Sequence, residues 1–304
     1  MRSIPDGVWP TMVTPFTEGD AIDWDALAEM VAWYIDRGVD GLFAVCQSSE
    51  MFYLTLDERV ALARAVVERV DGRVGVIASG HISDDLGDQV EEIRRIAETG
   101  VDAVVLVTNR LALAGEPDDV WKRNLTLLLE GIPDALPLGF YECPYPYKRL
   151  LTPALMAWCD ATGRFIFLKD TSCDLGQIEA KLAAAGGIRL YNANAATLLD
   201  SLRLGAAGYS GVMGNVHPQL YAWLCRHWRD APERAERLQA FLGVSSAIEA
   251  RAYPVCAKYH LQLEGVPISL HTRTRPASDL IDAYRREVTQ LRALTAEYEA
   301  DFAI

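Results

Sequence analysis

Eight short apolar runs recur along the chain, each followed by a longer stretch with helical spacing, and this alternation limits the fold more than any other feature. The runs are Val8–Thr14, Gly41–Val45, Val74–Ala78, Ala103–Val107, Leu138–Tyr141, Ile166–Lys169, Ile188–Tyr191 and Ala207–Val212. Runs this short, bounded by polar residues, read as buried strands. In the stretches that follow, Trp24, Leu27, Val31 and Tyr34 share one helical face. So do Leu86, Val90, Ile93 and Ala97, and again Leu175, Ile178 and Leu182. Start signals coincide with several of these patterns. Thr55 and Glu58 have capping-box spacing, and Thr152 followed by Pro153 reads as an N-cap and a first helical residue.

Strands alternating with helices predict a parallel sheet, and eight such units suit a closed (β/α)8 barrel better than an open doubly wound sheet. The open sheet would need a glycine-rich phosphate loop after a strand, and no G-x-G-x-x-G stands in the sequence. After His217 the alternation stops, and Pro232–Leu263 and Ser278–Tyr298 read as helices. The expectation is an α/β protein, a TIM barrel with a C-terminal helical extension. Residues 1–215 would carry the barrel strands and most barrel helices, and residues 216–304 the last barrel helix and the extension. A chain of 304 residues, half of them hydrophobic, can bury a core of that size.

A formal net charge of −13 argues against nucleic acid or an anionic membrane as partner, since both reward basic surfaces. Met1–Pro10 has neither the basic region nor the apolar stretch of a signal peptide, and no apolar run reaches the roughly 20 residues of a membrane helix. Six cysteines without a Cys-x-x-Cys pair form no disulfide framework. A cytoplasmic protein is the simple reading.

Barrel active sites are built at the C-terminal ends of the strands. There the second run leads to Cys46–Gln47–Ser48–Ser49–Glu50, the fifth to Tyr141–Glu142–Cys143–Pro144, the sixth to Lys169–Asp170–Thr171 and the seventh to Asn192–Ala193–Asn194. One amine, one phenol and several neutral hydrogen-bonding groups suit a carbonyl or carboxylate ligand without a metal or cofactor. Next to an apolar wall such as Phe165 and Phe167, a lysine pKa can fall from about 10.4 towards roughly 7 to 8, which leaves part of the amine free to attack a carbonyl. Tyr141 could then move protons. The residues alone leave a plainer alternative open, in which Lys169 caps a helix or pairs with Asp170 and Tyr141 is a core aromatic. Cys46, Cys143 and Cys173 lie near strand ends, but without a partnering histidine they read as small core residues and no zinc site.

Over nearly its whole length, from Gly7–Val8–Trp9–Pro10–Thr11 onward, the chain resembles the dihydrodipicolinate synthase and N-acetylneuraminate lyase family of class I, Schiff-base-forming aldolases. The family's imine-forming lysine matches Lys169 in Leu168–Lys169–Asp170–Thr171, and its tyrosine opens a Tyr-x-x-Pro motif matched by Tyr141–Glu142–Cys143–Pro144. The resemblance implies a lysine Schiff base with pyruvate or another 2-oxo acid, then aldol cleavage or condensation with an aldehyde. It makes Lys169 and Tyr141 the catalytic pair, and Gln47, Ser48, Ser49, Thr171, Ala193 and Ser210 the candidate substrate contacts. It also implies a homotetramer.

Several positions depart from the family pattern. Both glycines of its Gly-x-x-Gly-Glu turn are replaced, by Cys46 and Ser49, and Gln47 stands where a hydroxyl residue helps relay protons to the tyrosine. Glu50 is expected to brace this turn. The arginine that binds the aldehyde's carboxylate in the synthase branch is Pro146, and the tyrosine lent by a neighbouring subunit aligns with Leu111, with Arg110, Lys148 or Arg149 as possible substitutes for the charge. The Asp-Glu pair that grips the sugar in sialic acid lyases is Ala195–Ala196. These changes point away from both substrates. A mouth containing Tyr145, Tyr147, Tyr209, Asn109, Asn192 and Asn194 would suit a sugar-derived or aromatic aldehyde. Two alternatives share the same residues: a Schiff-base dehydratase of a deoxy sugar acid, and a catalytically silent 2-oxo acid binder or scaffold.

Overall fold

The computed structural model describes residues 4–304, so the first three residues of the Met1–Pro10 segment lie outside the described residues. All eight expected strands are present, as β1 (Gly7–Val8), β2 (Gly41–Phe43), β3 (Gly75–Ala78), β4 (Ala103–Val107), β5 (Leu138–Tyr141), β6 (Phe165–Asp170), β7 (Arg189–Asn192) and β8 (Gly208–Tyr209). They pair in parallel in the order β1-β8-β7-β6-β5-β4-β3-β2. A parallel bridge between Thr11 and Phe43 joins the two ends and closes the (β/α)8 barrel.

The first and last strands are much shorter than the sequence suggests. Pro10 has no N–H to give to a ladder, so β1 stops at Val8 and the chain continues as an extended segment. Pro10 still accepts a hydrogen bond from Phe43 N at 3.0 Å, which keeps the segment against β2. After β8 the chain turns at once into a 3-10 turn, Val212–Asn215, so the run to Val212 cannot stay extended.

The helices are α1 (Trp24–Asp36), α2 (Leu56–Val70), α3 (Leu86–Ala97), α4 (Asp118–Glu130), α5 (Pro153–Asp160), α6 (Leu175–Ala184), α7 (Leu198–Leu204), α8 (Pro218–His227), α9 (Pro232–Ser245), α10 (Val255–Leu263) and α11 (Asp282–Phe302). The capping box of Thr55 and Glu58 forms, and Thr152 caps α5 with Pro153 as its first residue. Leu27, Val31 and Tyr34 are buried, whereas Trp24, the first residue of α1, is partly exposed. The single helix expected over Pro232–Leu263 is interrupted. Ala252 adopts a left-handed backbone with φ 60°, and Pro254 lacks the donor that would carry the helix through, so α9 and α10 are separate. No helix among the described residues is long and apolar enough to cross a membrane.

The barrel interior is filled by aromatic rings. Trp9 meets Phe167 and Tyr191 edge-on, each at 6.1 Å, and Phe43 meets Phe167 at 6.2 Å and Tyr141 at 5.8 Å. Room for the indole comes from Gly41 and Gly75, where an added Cβ would lie 2.2 Å and 2.4 Å from the ring. Overpacking of this kind costs about 1–3 kcal/mol. Gly41→Ala should therefore lower the unfolding free energy by that amount, read as a fall in the urea midpoint with the denaturant slope unchanged.

Candidate functional site

β5 and β6 set the centre of the site, because their parallel register pairs Tyr141 with Lys169. A bulge at Ile166, where Leu138 pairs with Phe165 and Gly139 with Phe167, decides which rings surround the lysine. Phe167 lies inside the barrel among Trp9, Phe43 and Tyr191. Phe165 instead stacks on Phe140 at 4.2 Å, on the side of the sheet where Phe140 meets Trp121 of α4. Only Phe167 of the expected pair belongs to the interior aromatic cluster.

Successive residues of a strand point to opposite faces, so with Tyr141 and Lys169 directed inward, Glu142 and Asp170 point outward. Lys181, on the inner face of α6, meets both of them. Its Nζ lies 2.6 Å from Glu142 Oε1 and 2.5 Å from Asp170 Oδ2, and all three side chains are sealed from solvent. The carboxylates also accept backbone N–H groups: Glu142 from Leu151 at 2.7 Å and Thr171 at 3.1 Å, Asp170 from Ser172 at 2.9 Å. Two carboxylates share one ammonium here. Burial, helped by the nearby Asp170, pushes the Glu142 carboxyl up to about 7 against the pull of Lys181.

Lys169 has the reverse situation. It is 3% exposed, yet its amine has no hydrogen bond or ion pair to any described residue. The nitrogen lies 4.7 Å from the centre of the Tyr141 ring. Burial lowers its pKa to about 8, with the thiols of Cys46 and Cys143 and the carboxylate of Glu249 acting in the opposite direction. Burial also holds the Tyr141 phenol well above its usual value, and its hydroxyl lies 3.4 Å from Gln47 Oε1.

Lys169 and Tyr141 open into a cavity of about 430 Å³ at the C-terminal end of the barrel. Of the expected contacts, Gln47, Ser48, Thr171 and Ala193 line it. Ser49 is directed into its own turn, its hydroxyl 2.8 Å from the carbonyls of Met12 and Ala44 and its N–H donating to Cys46 O at 3.1 Å. Ser210 is buried behind the cavity wall, its N–H bonded to Asn192 O. The two glycine replacements in the turn need no left-handed backbone. The left-handed residue is Glu50, φ 62°, and its carboxylate ties the turn to the C-terminal loop by accepting the N–H groups of Arg273 and Thr274 at 2.7 and 2.8 Å.

The mouth differs from the expected one. Tyr145 lines it, half-exposed and edge-on to Phe52 at 4.9 Å. Tyr147 bonds to the carbonyls of Asn109 and Ala112, Tyr209 is buried against Tyr221, and Asn109 holds the loop after β5 through the carbonyls of Cys143, Tyr145 and Tyr147. Asn192 and Asn194 serve local turns. Arg110 pairs with Asp84, Arg149 with Asp118, and Lys148 donates to Thr171 O, and Ala195 and Ala196 form a turn outside the cavity lining. The cation that does reach the cavity is Arg275, from the loop between α10 and α11, accompanied by Glu249 and Tyr253 from the interruption between α9 and α10. Sequence periodicity passes over all three. The interruption reads as continuous helix, and a loop arginine carries no pattern.

Comparison with known proteins gives the family and the fold. The model of the dihydrodipicolinate synthetase family matches residues 5–294. A 4-hydroxy-tetrahydrodipicolinate synthase of Saccharophagus degradans is 28% identical over 86% of this chain and 89% of its own. A putative 2-dehydro-3-deoxy-D-gluconate aldolase, YagE of Escherichia coli K12, is 26% identical over 94% of this chain and 95% of its own. The crystal structure of YagE in complex with pyruvate has the same fold, with a TM-score of 0.85 at 24% identity over 97% of this chain and 98% of that one.

Removing Lys181 would leave two buried carboxylates facing each other, a loss worth about 3–5 kcal/mol. Lys181→Met should show that loss in urea unfolding, and it should also weaken small-molecule binding in the cavity by loosening both strand ends.

Proposed function

This chain belongs to the dihydrodipicolinate synthetase family and is an enzyme of its class I aldolase/lyase type, and we propose that it joins or splits a 2-oxo acid and an aldehyde through an imine on Lys169. The observation that carries this reading is the buried, unpartnered amine beside the Tyr141 phenol. A lysine removed from water with no counter-charge loses its packing rationale and keeps a chemical one, since its neutral form is the nucleophile.

Lys169 Nζ attacks the C2 carbonyl of pyruvate or a longer 2-oxo acid. Tyr141, held protonated by burial, donates to the carbinolamine oxygen as water leaves. The protonated imine then accepts the electrons of the C3–C4 bond in cleavage, or of a C3–H bond before condensation, and an enamine forms. Ser48 receives the substrate carboxylate, Thr171, whose N–H and hydroxyl are both donated to Glu142, holds the end of β6 beside it, and Gln47 and Ala193 shape the wall around C3. Ser49 contributes by fixing the turn that presents Ser48. Ser210 supports the wall from behind. Arg275 and the rings of Phe52 and Tyr145 give the mouth a cation and an apolar surface for the far end of the second substrate.

Borohydride reduction in the presence of pyruvate should fix a three-carbon adduct on Lys169, identified by peptide mass. Its rate should rise with pH and level off above about 8, because the neutral amine is the reacting form. Lys169→Arg should abolish the adduct, and Tyr141→Phe should slow it about a hundredfold. A folded protein that gives no adduct, or gives it on another lysine, would overturn the assignment.

Arg275→Met should raise KM for aldehydes that carry a carboxylate or phosphate and leave neutral aldehydes nearly unchanged. Steady-state kinetics on matched pairs of aldehydes checks this.

A further inference from the structure

Imine formation uses Lys169 and Tyr141, Glu50 ties the turn to the C-terminal loop, and the other carboxylate of the cavity lining has no task. Glu249 lies on the 3-10 turn Ser246–Ala250, which follows α9, and it lines the same cavity as Lys169. Its carboxylate has no hydrogen bond or ion pair to any described residue. Structural carboxylates in this protein look different: Glu50, Glu142 and Asp170 each accept backbone N–H groups.

Tyr141 is poorly placed to handle every proton of the reaction. Its hydroxyl lies 3.4 Å from the amide oxygen of Gln47. An amide oxygen accepts a hydrogen bond but has no O–H of its own to pass onward, so it cannot relay a proton as a hydroxyl would. The carbon–carbon step needs a group that takes a proton from the substrate's C4 hydroxyl in cleavage and returns it in condensation. Glu249 reaches the cavity from the C-terminal segment, independently of β5 and the Gln47 turn.

We propose that Glu249 is the acid–base group of the carbon–carbon step, exchanging a proton with the oxygen on C4 of the substrate while Tyr141 serves imine formation. This rests on the imine reading of Lys169. In cleavage the Glu249 carboxylate takes the C4 hydroxyl proton, the C4–O bond becomes a carbonyl, and the C3–C4 bond breaks. Its electron pair forms the C2=C3 bond of the enamine, and the C2=N pair returns to nitrogen. Condensation runs the same steps backwards, with the carboxylic acid protonating the new alkoxide. No oxidant or further reactant is needed.

The surroundings fit this role. Burial raises the Glu249 carboxyl to about 7, and the charge of Lys169 draws it down. A group balanced near neutrality serves both directions. The other titratable groups that feel its charge are Tyr209 of β8, Tyr221 of α8 and Cys256 of α10, and burial keeps each of them protonated across the neutral range. Tyr253, likewise held protonated, lines the same cavity, as do Arg275, Glu50, Tyr53 and Tyr145.

The test compares wild type with Glu249→Gln and Glu249→Asp, using pyruvate with glycolaldehyde, D-glyceraldehyde or benzaldehyde as probes. In Glu249→Gln, borohydride trapping of pyruvate on Lys169 should stay within about twofold of wild type, which also reports an intact site, while condensation falls by about a hundredfold or more. With pyruvate saturating, wild-type condensation should decline as pH rises through about 7, and that limb should vanish in Glu249→Gln and persist in Glu249→Asp. Condensation unchanged in Glu249→Gln would overturn the proposal. So would parallel loss of trapping and condensation, which would make Glu249 an electrostatic partner of Lys169, and so would a wild type that traps pyruvate but condenses none of the three aldehydes. A wild type that fails to trap pyruvate would instead defeat the imine reading itself.

Discussion

The buried cluster of Glu142, Lys181 and Asp170 is the interaction on which the site depends. It joins the ends of β5 and β6 to α6 from the outer side of the sheet, and the two residues it holds are the sequence neighbours of Tyr141 and Lys169. Because strand side chains alternate, fixing Glu142 and Asp170 outward fixes Tyr141 and Lys169 inward. A slip of one residue would place Glu142 in the cavity and the phenol outside if in β5, or Asp170 in the cavity and the amine outside if in β6, so the ion cluster also guards the register.

The same cluster explains why the Lys169 amine has no carboxylate partner. Lys181, Lys258 and Lys169 are all buried, and burial of an ammonium is costly without partners. Lys181 has two carboxylates, and Lys258 has the His271 carbonyl and Glu50 at 3.8 Å. Asp170, the carboxylate adjacent to Lys169 in sequence, is already committed to Lys181, so it cannot neutralise the amine next to it. Buried beside the Tyr141 ring, Lys169 sheds its charge at a pH where an ordinary lysine would keep it.

Much of this architecture was legible in the sequence. Eight apolar runs announce the barrel, and the motif around Lys169 and the Tyr-x-x-Pro motif mark the strand ends that line the cavity. Lys181 was hidden, because a lysine one residue before Leu182 on an amphipathic helix reads as solvent-facing, and only the outward turn of Glu142 and Asp170 gives it an inward role. Glu249, Tyr253 and Arg275 were hidden for another reason. They reach the cavity through an interrupted helix and a loop, where periodicity carries no information. The amides expected at the mouth were assigned by proximity to strand ends, yet Asn109 and Asn194 are consumed by backbone groups that the turns leave open, and Asn192 by the Thr197 and Ser201 hydroxyls and the Asn194 N–H.

The central claim is that the ion cluster presents an unpaired Lys169 amine to a 2-oxo acid. A crystal structure of the protein grown with pyruvate tests this most directly. The account predicts continuous density from Lys169 Nζ to C2 of pyruvate, the carboxylate against Ser48, and Lys181 still bonded to Glu142 and Asp170. Pyruvate bound elsewhere in the cavity, with the Lys169 amine unbonded or paired to a carboxylate, would contradict it.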